Sequence, residues 1–347
     1  MVSRSELSAL LDLSAKIGRD PLLTQASTGN TSLKIDGRLW IKASGKWLAD
    51  ARRDDILVSI DLSEARDALR RHSLTTALAT NLSGERVSPS IESAMHVVLP
   101  HRVVAHLHSV NTIAHAVRCD GPSLLESKLS GLNWAWIPYV ASGLPLAREI
   151  EQALRRCPSA SVLVLANHGL VVCGEDCASV DALLNEVELR IGLIPRPQAA
   201  FDRDFLIGLA RDSNWRLPDR PRLHSLATDA VSRNILSGGV VYPCQALFLG
   251  GSQPWRSFYS GLYSEAVRGL DHRSGGHSFL IIKDKGILIH QAISPARLDL
   301  LIGLAEVVQR IEASAPIRYL TKAELDQIAA LDSYKTYAAF DRPALSA

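Results

Sequence analysis

Two histidines one residue apart, His106 and His108, sit in the apolar run Val103-Val104-Ala105-His106-Leu107-His108-Ser109-Val110. Glu92 lies upstream in Pro89-Ser90-Ile91-Glu92, and His168 downstream in Ala166-Asn167-His168-Gly169. The run reads as a buried strand, on which residues i and i+2 project to one face, so both imidazoles can reach a single metal ion. Neutral imidazole is a good zinc ligand, and a catalytic zinc takes three protein ligands and leaves a position for water or substrate. His168 is the candidate third ligand. An apolar strand, Val162 to Ala166, breaks at a polar Asn-His-Gly turn and resumes as Leu170-Val171-Val172, so the ring can point out of the turn. The H-x-H pair alone is equally compatible with two core histidines; the company it keeps favours a metal.

Four segments in order carry a resemblance: Ser27-Thr28-Gly29-Asn30-Thr31-Ser32 followed by Trp40-Ile41-Lys42-Ala43-Ser44-Gly45; Ser88-Pro89-Ser90-Ile91-Glu92-Ser93-Ala94-Met95-His96; His106-Leu107-His108; and Asn167-His168-Gly169-Leu170. Over about residues 20 to 195 the chain resembles the class II aldolase/adducin superfamily. The first two segments are closest in wording to the aldolase half of bifunctional rhamnulose-phosphate aldolase/alcohol dehydrogenases. The resemblance implies zinc on His106, His108 and His168, with Glu92 as acid/base, and a reversible aldol cleavage of a sugar phosphate or related polyol. In that reaction a base takes the proton of the hydroxyl beside the breaking C–C bond, and a Lewis acid stabilises the resulting enediolate. It also implies that Gly29, Asn30, Ser44, Gly45 and Ser90 bind a phosphate or other anion, since glycine admits close backbone approach and N–H and hydroxyl groups can ring the oxygens. Read without the family, the two loops holding Gly29 and Gly45 are hairpin turns.

Two departures matter. Ile91 stands where fuculose-phosphate aldolase has a second serine. The tyrosine that donates a proton in that enzyme has no counterpart in residues 120 to 135, where the nearest aromatics are Trp134 and Trp136. A decarboxylase or epimerase of the same fold therefore stays open, as does a non-catalytic adducin-like interaction protein, although a scaffold gains nothing obvious from a costly polar cluster. Iron, cobalt or manganese could replace zinc, because a three-histidine site selects poorly among divalent ions. The relatives are homo-oligomers, and the same is expected here.

The elements that must position these groups alternate helix and strand. Residues 5 to 18 read as a helix, 31 to 60 as hairpin-like segments, Asn81 to Gly84 as a turn, 91 to 99 as a helix, 145 to 156 as a helix and Ser179 to Ile191 as another. Glu92 follows Pro89 and precedes Ala94 to Leu99, which puts it in the first turn of its helix, a place that suits an acid for the dipole alone. Ile194-Pro195-Arg196-Pro197 stops the last of these helices and puts a domain boundary near 200. The expected architecture is a three-layer α/β/α class II aldolase fold with a central, mainly antiparallel sheet over 1–200, and a smaller C-terminal α/β domain over 201–347.

The C-terminal part holds a further pattern. Phe279 to Ile289 matches Val162 to Val172 as apolar strand, polar turn with Gly at the same place, and apolar strand, with Lys285 where His168 stands. This points to a diverged, shortened repeat without a zinc site, which would be structural or cover the active site; the competing reading is that hairpin-then-helix is common in α/β proteins. Asp271, His272 and His277 fall in a Gly/Ser-rich loop and read as solvated, and Thr321 to Tyr334 reads as a helix.

Composition excludes other classes. With 38 basic and 36 acidic residues in 347, no global charge recruits nucleic acid or an anionic membrane. No apolar stretch reaches the roughly 18 residues of a membrane span, and Met1 to Glu6 lack a signal-peptide core, so the chain reads as cytoplasmic. Five cysteines with no C-x-x-C pair read as reduced thiols.

Overall fold

The computed structural model describes residues 4–71, 79–81, 86–249 and 278–330. Contacts divide the chain into two compact units, Met1–Gly192 and Leu193–Ala347.

In the first unit the elements are α1 (Arg4–Arg19), β1 (Asn30–Ile35), β2 (Arg38–Lys42), β3 (Leu57–Asp61), α2 (Leu62–Arg70), β4 (Ala79–Asn81), β5 (Arg86–Val87) and α3 (Ser93–Val98). There follow β6 (Val103–Leu107), α4 (Val110–Ala116), α5 (Gly121–Lys128), β7 (Trp134–Ile137), α6 (Leu144–Arg156), β8 (Val162–Leu165), β9 (Gly169–Gly174) and α7 (Cys177–Ile191). The strands form one sheet in the order β5-β4-β3-β2-β1-β6-β9-β8-β7, antiparallel except for β7 on β8. The sheet is therefore mainly antiparallel, as expected. Residues 82–84 of the expected Asn81–Gly84 turn lie outside the described residues.

Alternation along the strands builds three layers. On β6, Val103, Ala105 and Leu107 face a core shared with α1 (Leu10, Ile17), α5 (Leu125) and α7 (Val180, Leu184, Val187). Val104 faces the other way, into a core with Met95 of α3 and Leu146 and Ile150 of α6. His106 follows Val104 on that second face and is the polar member of a fully buried strand.

The strand ends sooner than its apolar flank suggests. Val110 begins α4, because the Ser109 hydroxyl accepts from the Thr112 N–H at 3.1 Å and caps the helix. His108 consequently lies one residue beyond β6. Glu92 holds the position just before α3, one ahead of the expected first turn, without a side-chain cap bond; the Ser90 hydroxyl accepts its N–H at 3.2 Å.

The second unit contains α8 (Arg203–Ala210), β10 (Trp215–Arg216), α9 (Ser225–Thr228), α10 (Ala230–Gly238), α11 (Pro243–Leu249), β11 (Phe279–Ile282), β12 (Gly286–His290), α12 (Pro295–Gln309) and α13 (Lys322–Ala329). The loop with Asp271, His272 and His277, and the tail beyond 330, lie outside the described residues.

The β11–β12 hairpin reproduces the β8–β9 hairpin in register: Phe279↔Ile289 through Ile282↔Gly286 matches Val162↔Val172 through Leu165↔Gly169. Both turns place a left-handed Asx residue two positions before the glycine, Asn167 with φ 52° and Asp284 with φ 61°. The Asn167 N–H donates to Ala116 O on α4 at 2.9 Å, and the Asp284 N–H to Ala227 O on α9 at 3.0 Å. A 15-residue helix follows each hairpin, α7 and α12. In the β11–β12 hairpin Lys285, at the position of His168, donates to Asp202 Oδ2 at 2.7 Å.

Candidate metal centre

The antiparallel pairing of β6 with β9 brings the end of β6 against the start of β9, with Leu107 opposite Leu170. His106 leaves β6 on the α3 side, His108 follows the strand end, and His168 stands in the turn before β9. Their rings meet edge to face, with centroids 4.9 to 5.1 Å apart. Glu92, at the start of α3, closes the group: one ligand atom from each of Glu92, His106, His108 and His168 falls within 4.8 Å of all the others, and all four residues are buried. Glu92 Oε1 lies 3.1 Å from His168 Nε2 and 3.4 Å from His106 Nε2.

Hydrogen bonds orient the ligands. His106 Nδ1 lies 3.0 Å from Leu170 O; a carbonyl only accepts, so Nδ1 carries the proton and the Nε2 lone pair faces the cluster. His106 Nε2 itself is buried and makes no hydrogen bond among the described residues. Burial holds His108 well below the usual histidine range, and burial also lowers His168 against the pull of Glu92, so both rings are neutral at pH 7. Burial by itself would raise the Glu92 carboxyl, but the imidazoles of His106 and His168 beside it outweigh that and hold the group well below the ordinary carboxylate range. The donor set, two or three lone-pair nitrogens and a carboxylate converging in a dry cluster, suits a divalent transition metal.

Behind Glu92 runs a chain of polar groups, of which Asn30 was expected at the anion site and His96 and Ser32 had no expected role. Asn30 Nδ2 donates to Glu92 Oε2 at 2.7 Å. A carboxylate only accepts, so the Asn30 amide must turn its carbonyl toward His96 Nε2, its partner on the other side. His96 Nε2 therefore carries the proton, and Nδ1 accepts the Ser32 hydroxyl at 2.7 Å. Asn30, His96 and Ser32 are all buried, and burial keeps His96 well below the usual histidine range. A histidine inside the apolar stretch Ala94-Met95-His96-Val97 was the available signal.

The five residues expected to bind an anion lie on three adjoining segments. The Ala43↔Pro89 bridge and the Ser44 N–H to Ser88 O bond join the second to the third. Buried Lys42 joins the first to the second, donating to Ser27 O at 2.9 Å and Lys46 O at 2.7 Å; burial pushes its ammonium down to about 8. Gly29 (φ 68°) needs the left-handed region, and a Cβ there would lie 2.8 Å from His106 O. Asn30 and Ser90 stand beside Glu92, Asn30 Nδ2 lying 3.4 Å from Ser90 Oγ.

The family model of the class II aldolase and adducin N-terminal domain matches residues 9–190. The chain belongs to this family. Its first unit is a class II aldolase domain, and the histidine cluster lies within the matched span. A curated relative, the uncharacterized oxidoreductase YuxG of Bacillus subtilis (strain 168), is 28% identical over 174 residues, which are 46% of this chain and 25% of that protein. The match thus spans about a quarter of that relative's length. Among solved structures, the N-terminal class II aldolase domain of a conserved protein from Thermoplasma acidophilum has 24% identity and a TM-score of 0.47, covering 55% of this chain and 94% of that one. An L-fuculose 1-phosphate aldolase has 18% identity and a TM-score of 0.41, covering 63% and 93%. Among the described residues, no helix is long and apolar enough to cross a membrane.

Proposed function

We propose that this class II aldolase family member is a zinc-dependent lyase that cleaves an aldol of a sugar phosphate or related polyol, with His106, His108 and His168 holding the metal and Glu92 moving the proton. The convergence of three buried histidines and one buried carboxylate on a single point carries this reading. Bound zinc would serve as a Lewis acid, stabilising negative charge that develops on substrate oxygens. Glu92 is held by Asn30 at Oε2, which leaves Oε1 facing the cluster, where it can take the proton of the substrate hydroxyl as that oxygen becomes the carbonyl of one fragment, and return the proton to the enediolate carbon of the other. Burial of the cluster strengthens each of these interactions by excluding water.

The anion of the substrate is assigned to the loops around Gly29 and Gly45. Because the Asn30 amide already serves Glu92, while the Ser90 hydroxyl only accepts there and keeps its own proton to donate, the anion contacts fall to Ser44, Ser90 and the backbone of Gly29 and Gly45. Asn30 thereby becomes a positioning residue. Asn30→Ala is expected to lower turnover or metal affinity about 10–100-fold, the usual consequence of removing the group that orients a metal-site ligand. Unchanged turnover and metal content would dismiss that role. Ile91, in place of a hydroxyl residue, supports a second reading, decarboxylation or epimerisation on the same centre.

For the second unit we propose a diverged, shortened repeat of the aldolase domain without a metal site. The matching hairpin register, the left-handed Asx residues and the Lys285–Asp202 ion pair at the position of His168 support it.

Elemental analysis of protein purified without chelator tests the metal assignment. About one divalent ion per chain is expected, and none in His106→Ala/His108→Ala. Metal-free parent protein that stays metal-free after incubation with zinc removes the assignment.

A further inference from the structure

A cleft of about 640 Å³ opens in the first unit between α2, α3 and α6, on the face of the sheet that carries His106. Arg66 and Arg70 of α2 line one wall, Arg148 and Arg155 of α6 the other; all four are exposed, and Glu151 is the only carboxylate in the lining. Val97 and Val98 of α3, with other apolar side chains, form the floor. Arg70 pairs with Asp67. Among the described residues Arg66, Arg148 and Arg155 form no ion pair, and with Glu151 the single carboxylate against four guanidinium groups the lining carries a net positive charge. Lys34 lies buried under the C-terminal end of α3, where its ammonium donates to His101 O at 2.8 Å and burial pushes it down to about 8.

We infer that this cleft binds a small organic molecule carrying two or more phosphate groups, of the nucleoside diphosphate kind. The volume falls within the roughly 300–1,000 Å³ of small-molecule sites. Guanidinium groups on opposite walls offer the planar, two-pronged geometry that matches phosphate oxygens, which an ammonium does not. The apolar floor is suited to a ring rather than to a bare ion. Like charges across the cleft repel one another, and a polyanion between them removes that repulsion, so the ligand stabilises the fold by mass action. The inference is independent of the metal assignment, since none of these side chains belongs to the cluster of Glu92 and the three histidines.

Calorimetric titration of the full chain with ADP and with inorganic pyrophosphate, in buffer containing a metal chelator, tests it. One ADP per chain is expected, bound more tightly than pyrophosphate and more weakly as NaCl rises. Arg148→Ala/Arg155→Ala, both exposed and expected to fold as the parent does, should weaken ADP at least about tenfold, while His106→Ala/His108→Ala leaves it unchanged. Absence of ADP binding at millimolar concentration overturns the inference. So does binding that Arg148→Ala/Arg155→Ala leaves intact, which would place the anion elsewhere, for instance at the glycine loops.

Discussion

Glu92→Gln is expected to reduce turnover about 10²- to 10⁴-fold, the range for loss of a positioned acid/base, while the metal content stays at that of the parent. The substitution keeps the shape of the side chain, and its amide oxygen can still accept from Asn30 Nδ2, so the geometry behind the site survives. What is lost is a group able to take and return a proton. The barrier should rise by about 3–5 kcal/mol. Three histidines remain to hold the ion, which separates this variant from His106→Ala/His108→Ala, where metal and activity disappear together. Turnover by Glu92→Gln above a tenth of the parental rate, on whichever ketose phosphate or hydroxy-keto acid the parent accepts, would mean that another residue moves the proton.

Gly169→Ala should destabilise the fold by about 3 kcal/mol, the upper end for added bulk in a packed interior, and weaken metal binding with it. Gly169 opens β9 at the point where β6 passes closest. A Cβ there would lie 2.3 Å from Leu107 O, a backbone atom that cannot swing aside, and 3.5 Å from His106 Cε1. Relief of the clash must part β6 from β9, the two strands whose junction sets His106 and His108 against His168. Urea unfolding in the presence of chelator isolates the stability effect from the metal. A midpoint equal to that of the parent would mean that the strands have room to spare and that the junction does not set the spacing of the ligands.

These variants also separate what local sequence carries from what packing supplies. The alternation in Val103-Val104-Ala105-His106-Leu107-His108 is visible in the chain because strand period two is a local property, and the Asn167-His168-Gly169 turn is visible because left-handed backbone favours Asn and Gly. Even so, the end of β6 was placed late: the apolar Val110 masked the Ser109 cap, whose energy lies in one hydrogen bond rather than in hydrophobicity. Glu92 fell one residue outside its helix for the same kind of reason, the Ser90 turn deciding where α3 begins.

The residue types that meet at the cluster and the alternate strand faces they occupy are legible in the chain, since each follows from residue chemistry and short-range period, while the mainly antiparallel sheet was implied by the family resemblance. The long-range partners are legible only in the folded chain: Asn30 holds Glu92, His96 and Ser32 stand behind Asn30, and Lys42 ties two loops together. Those partners are up to 66 residues apart in the chain. They meet because β1 pairs with β6 while α3 packs over the same face, and no periodicity in a single segment encodes which strand becomes its neighbour.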